Sequence, residues 1–77
     1  MTNRDLPIKF SYNPLWKMLI DRNIQKKELQ QLSGISSASI AKLGRCGNVT
    51  TDVLLRICNA LNCDVSEIME VIPKEHA

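Results

Sequence analysis

Between Gln30 and Thr51 the chain carries no carboxylate, and Ser36, Ser37, Ser39, Lys42, Arg45 and Asn48 all fall within that stretch. Short hydroxyls beside cations are side chains that bond phosphate oxygens and the edges of base pairs. The wider charge pattern has the same sense. From Arg22 to Arg56, six basic residues (Arg22, Lys26, Lys27, Lys42, Arg45 and Arg56) stand against Glu28 and Asp52, a balance of +4. From Ile57 onward, Lys74 stands alone against Asp64, Glu67, Glu70 and Glu75, a balance of −3. A basic middle and an acidic tail imply one side facing a polyanion and one turned away. Ordinary solvated charge would give the same numbers, so charge alone does not decide the function.

Other chemistries have little to stand on. Three cysteines, Cys46, Cys58 and Cys63, match no zinc spacing, and the sole histidine, His76, lies at the chain end. No metal site and no cofactor are expected. Cys58 reads as a small core residue, and Cys46, beside Arg45, is set aside as a reactive thiol because no resolving partner is evident. Trp16 reads as a core or interface anchor rather than a platform for a base. There is no Gly-rich phosphate loop and no nucleophile–base pair, so an enzyme is not expected. An odd cysteine count without other marks of a secreted scaffold points to a reducing cytoplasm. No apolar run approaches the ~20 residues of a membrane span, and no signal-peptide pattern is present.

The chain of 77 residues suits a single domain with one modest core. Hydrophobic residues make up 44% of it and only three are aromatic, so that core must be mainly Leu, Ile and Val. Ile8, Phe10 and Tyr12 alternate with Lys9 and Ser11, which predicts a half-buried strand over 8–12. Asn13-Pro14 predicts a helix start with Asn13 as N-cap, and Leu15, Trp16, Leu19 and Ile20 share one face until about Asn23. A second helix is expected from Gln25 to Ser33, with Leu29 and Leu32 inward, ended by Gly34. Ser36 then caps a third helix whose Ile40 and Leu43 face inward and which stops by Gly44. Thr50 or Thr51 caps a fourth, carrying Val53, Leu54, Ile57, Cys58 and Leu61. A short fifth helix, capped by Ser66, is expected to lead into a second strand at 69–72.

Two short helices hinged at Gly34 have the dimensions of a helix-turn-helix over 25–43. Leu29, Ile35, Ile40 and Leu43 close a small core between them. The exposed start of the third helix is left with Ser36, Ser37, Ala38 and Ser39, and Lys42 stands one turn on. Side chains this small let a helix approach a DNA groove closely.

The run from Leu29 through Gly34, Ile35-Ser36, Ile40 and Leu43, followed by Leu54-Leu55-Arg56-Ile57 and Ala60-Leu61, resembles the Cro/cI-type (XRE-like) helix-turn-helix family. The resemblance covers roughly residues 13–70. It implies an all-α, compact five-helix domain of the lambda-repressor kind, to which the short terminal strands would be added. It also implies that the third helix enters the major groove while the second crosses the backbone. By position, Ser37, Ala38 and Lys42 fall where family members contact base edges. Lys26 stands where the family places a Gln near a phosphate. Phosphate contacts are expected at Ser36, Ser39, Arg45 and Asn48 as well, with Lys27 adjacent. Ser36 reads equally as a cap alone. Two positions depart from the family pattern: Gln30 replaces a small Ala, and Gly44-Arg45 replaces an acidic residue after the third helix.

The expectation is therefore a sequence-specific regulator of transcription, a repressor, on double-stranded DNA. Most of the family binds twofold-related sites as dimers, so a homodimer is expected, with the terminal strands either covering the core or joining two chains. No small-molecule ligand is evident. The other class of reading is a helical adaptor or antitoxin-like module whose partner is a protein.

Overall fold

The computed structural model describes residues 7–74. His76 and Glu75, invoked above for metal binding and tail charge, lie outside that range. Strand β1 (Ile8–Ser11) leads into helices α1 (Asn13–Asp21), α2 (Lys26–Ser33), α3 (Ser37–Gly44) and α4 (Thr51–Leu61). A single 3₁₀ turn (Val65–Glu67) and strand β2 (Glu70–Pro73) complete the described chain. Leu15 and Leu19 of α1, Leu29 of α2, Leu43 of α3, Ile57 and Leu61 of α4, and Ile68 form one buried cluster with Tyr12 and Ile35. Each of the eight aliphatic side chains in this cluster contributes about 1.5–3 kcal/mol on leaving water.

The helix boundaries follow local chemistry. Ser36 accepts the backbone N–H of Ser39 at 3.1 Å, and Thr50 accepts that of Val53 at 3.3 Å, so both expected caps are formed. Gly34 ends α2 at φ +74° and donates its N–H to the Gln30 carbonyl. A Cβ there would meet only Arg56 Nη1, at an ordinary 3.7 Å, so it is the backbone angle that calls for glycine. Helix α1 starts differently from expectation. Asn13 lies inside it and Tyr12 is the cap residue, without a side-chain bond. The Ser11 hydroxyl accepts the Asn13 N–H at 3.2 Å, so the cap chemistry has moved upstream.

The expected fifth helix is the 3₁₀ turn, so four α-helices are present among the described residues. Its cap is Asp64, not Ser66. Asp64 accepts from the Ser66 N–H (3.1 Å) and hydroxyl (2.7 Å), while Glu67 accepts the Asp64 N–H at 2.8 Å. This reciprocal box closes within one turn, and the chain then leaves for β2 before a second turn can propagate.

The two strands pair antiparallel, Ile8 with Pro73, Lys9 with Ile72, Phe10 with Val71 and Ser11 with Glu70. Lys74 donates to the Pro7 carbonyl at 2.9 Å, so by alternation the backbone groups of Ile8, Phe10, Val71 and Pro73 point to the open edges. Pro73, with no N–H, sits where no ladder bond is lost.

Four apolar residues are placed differently from expectation. Ile8 and Phe10 are 48% and 47% exposed, and Ser11 is buried instead. Tyr12 has left the extended backbone of the strand (φ −106°, ψ 18°), so its burial does not extend back along the strand's alternation. Ile20 is 77% exposed, because the buried stripe of α1 is Leu15–Leu19 and Ile20 lies about 100° past it. Leu32 is 55% exposed, because α2 buries Leu29 and Ser33. The Ser33 hydroxyl donates to the Leu29 carbonyl at 2.7 Å, which makes a buried serine tolerable.

Candidate nucleic-acid interface

Helices α2 and α3, with the three-residue turn Gly34–Ser36, reproduce the expected hinge. Leu29, Ile35 and Leu43 are buried beneath it and Ile40 packs partly against them. With these four pointing inward, the outer side of α3 is decided. Ser37, Ala38 and Lys42 are exposed there, as are Ser36, Arg45 and Asn48, while Ser39 is half-buried. Ala38, Lys42 and Arg45 follow one another at four- and three-residue spacing and share a face. Lys26 and Lys27 are exposed at the first turn of α2.

Ala41 belongs to the same surface and was not singled out from the sequence. It is exposed and lies one turn beyond Ser37 and Ala38. Helical periodicity places it there, but a methyl group carries no polar signal. The face from Ser37 to Lys42 is thus low in relief, with one long cation at its far end.

The expected cations divide into two kinds. Arg56 pairs with Asp52 at 2.8 Å, which is the one ion pair among the described residues and raises the guanidinium pKa. Arg22 donates to the Leu61 carbonyl at 2.6 Å, across 39 positions of sequence, and so satisfies the end of α4. Both are committed inside the molecule. Lys27, Lys42 and Arg45 are exposed and outside that pair. Lys26 is held over the Trp16 ring, 4.6 Å from its centroid, which fixes its direction without neutralising its charge. Trp16 is therefore half-buried at the edge of the core and orients a lysine.

Ser36 spends its oxygen on the cap and donates its hydroxyl proton toward Ser39 Oγ at 3.2 Å. The loop after α3 is pinned from two sides. Gly47 donates to the Lys42 carbonyl at 2.7 Å, and the Tyr12 hydroxyl donates to the Gly47 carbonyl at 3.3 Å. Burial raises the Tyr12 pKa, with the nearby Cys46 adding to the effect, so this phenol stays a donor. Left-handed backbone falls on Cys46 (φ +55°), not on Gly47. A Cβ on Gly47 would press on the Lys42 carbonyl at 3.2 Å.

Both departures from the family pattern are accommodated. Gln30 is half-buried, while Leu29 and Leu43 remain fully buried in the shared core. Arg45 caps the end of α3 and adds an exposed cation beside it. No helix among the described residues is long and apolar enough to cross a membrane, and none of them form a cluster of three or more metal-ligating side chains.

Residues 14–74 match the family model of the Cro/C1-type helix-turn-helix DNA-binding domain, and the chain belongs to that family. Among solved structures it is similar to that of the transcriptional regulator VanUg, with 44% sequence identity and a TM-score of 0.86. That similarity covers 96% of this chain and 99% of the other. No curated protein matches the chain.

Proposed function

We propose that this protein is a sequence-specific transcriptional regulator that binds double-stranded DNA in the cytoplasm by placing α3 in the major groove. One observation carries the reading. The outer face of α3 is made of small, exposed side chains without a carboxylate, Lys42 and Arg45 are exposed along it, and Lys26 and Lys27 are exposed at the start of α2. Ser37, Ala38 and Lys42 meet base edges. Lys26, Lys27, Ser36, Ser39, Arg45 and Asn48 hold the phosphates. Occupancy of an operator shuts other proteins out of the same groove, so the proposed sign is repression.

The protein acts as a homodimer on twofold-related half-sites. The sheet supports this. Ile8, Phe10, Val71 and Pro73 are exposed on its outer face, and no further strand pairs with β1 among the described residues. Pro73 blunts the open edge of β2, which leaves β1 as the edge able to pair. Pairing two β1 strands about Phe10 sets Lys9 opposite the partner's Ser11. Pairing about Lys9 would oppose like charges.

Selection of bound sequences from a random duplex pool tests the reading. It should yield palindromic half-sites about one helical turn apart. Absence of binding to any duplex at low salt, with a stoichiometric protein recovered instead, would overturn it in favour of a protein-binding adaptor.

A further inference from the structure

The left-handed residue Asn62 (φ +53°) folds the chain back over the end of α4, and the Cys63 N–H donates to the Cys58 carbonyl at 3.0 Å. In this kind of helix ending, the side chains at those two positions usually make an apolar contact. Here both are cysteine. Both are half-buried and line an open cleft of about 380 Å³ with Leu54, Leu55 and Val65. A small molecule therefore has access to a thiol pair that the DNA-facing surface does not use. Cys46 lies elsewhere, in the loop after α3.

We infer that Cys58 and Cys63 form a dithiol–disulfide couple that exchanges with a low-molecular-weight disulfide. The Cys58 thiolate attacks one sulfur of the small disulfide, forms a mixed disulfide and expels a thiolate, which takes up the proton Cys58 has lost. Cys63, deprotonated in turn, attacks the Cys58 sulfur, closes the Cys58–Cys63 bond and expels the second thiolate, which receives its proton. Two protein thiols are oxidised by two electrons, and one small disulfide is reduced to two thiols. Burial raises both thiols, and the nearby Glu67 raises both further, so the resting thiols are protonated. The bond closes a ring over a turn that is already folded, beside the Arg22–Leu61 contact.

The full chain, equilibrated in glutathione buffers from reducing to oxidising, quenched with acid and alkylated, tests this by peptide mass. The peptide Ile57–Lys74 contains both residues, so the bond appears as an unalkylated peptide two hydrogens lighter. Wild type and Cys46→Ser should lose Cys58 and Cys63 together, with a midpoint independent of protein concentration, and Cys46 of wild type should stay alkylatable at that midpoint. Cys63→Ser should stop at a glutathione adduct on Cys58. The oxidised chain should also melt at a higher temperature than the reduced one. Glutathione on Cys46 alone, with Cys58 and Cys63 still alkylatable, would overturn the inference. So would cross-linked dimers whose midpoint shifts with protein concentration.

Discussion

Helices α3 and α4 lie close in sequence and share one core, yet they use their polar residues in opposite ways. Helix α4 spends its charges internally. Asp52 pairs with Arg56, and its last carbonyls accept from Arg22 and from the Asn62 turn. Helix α3 spends only the Ser36 cap and leaves Lys42 and Arg45 to solvent. A count of basic residues along the chain misses this difference. Of the six cations between Arg22 and Arg56, two are bonded to partners within the molecule and four are not.

The comparison can be broken first at the core the two helices share. Leu43→Ala removes a fully buried side chain under α3 and should cost about 2–5 kcal/mol in urea unfolding. A loss below ~1 kcal/mol would mean that α3 is not anchored as described. Gly34→Ala should cost about 1–2 kcal/mol, from the backbone angle and not from a clash. Equal stability of the two proteins would remove the case for a left-handed hinge.

Binding sharpens the contrast. Lys42→Ala should weaken operator binding by about 1–3 kcal/mol and relax specificity at one base pair, with its melting temperature unchanged. Wild-type affinity on the selected operator would exclude Lys42 as a base reader. Arg22→Ala should do the reverse, lowering stability by about 1 kcal/mol and leaving DNA affinity per folded molecule intact.

The smallest effect lies in the 3₁₀ turn, where the bonds from Ser66 hold the Asp64 carboxyl below its ordinary pKa. A depressed folded pKa stabilises above the unfolded value, and that contribution fades as pH falls through the folded one. The stability of Asp64→Asn should therefore differ from wild type at neutral pH and converge with it in acid. A difference that persists in acid would assign the role of Asp64 to something other than its charge.

What could be read from the sequence was local chemistry. Gly34, Ser36 and Thr50 act within one turn of themselves, and each stands where its type predicts. The edges of buried faces were not legible in the same way. Leu32 and Ile20 continue an apolar pattern, but packing of neighbouring helices places the border of the stripe before them. Ile8 and Phe10 failed for a related reason, since the chain leaves the extended backbone at Tyr12 and breaks the alternation that would have carried them inward. The fifth helix was lost to Asp64 and Glu67, which close a box tighter than the Ser66 cap assumed. Arg22 finds its carbonyl across 39 positions, a pairing that no local pattern announces.

The central claim is that the uncommitted cations around α3 face the DNA and the committed ones do not. The salt dependence of duplex binding tests it most directly, measured for wild type and for Lys26→Gln, Arg45→Gln and Arg56→Gln. Loss of a phosphate contact lowers the slope of log K against log salt by about 1. The slope should fall by that amount for Lys26→Gln and Arg45→Gln and stay at the wild-type value for Arg56→Gln. An unchanged slope for the first two, or an equal fall for Arg56→Gln, would contradict the division of charges on which the account rests.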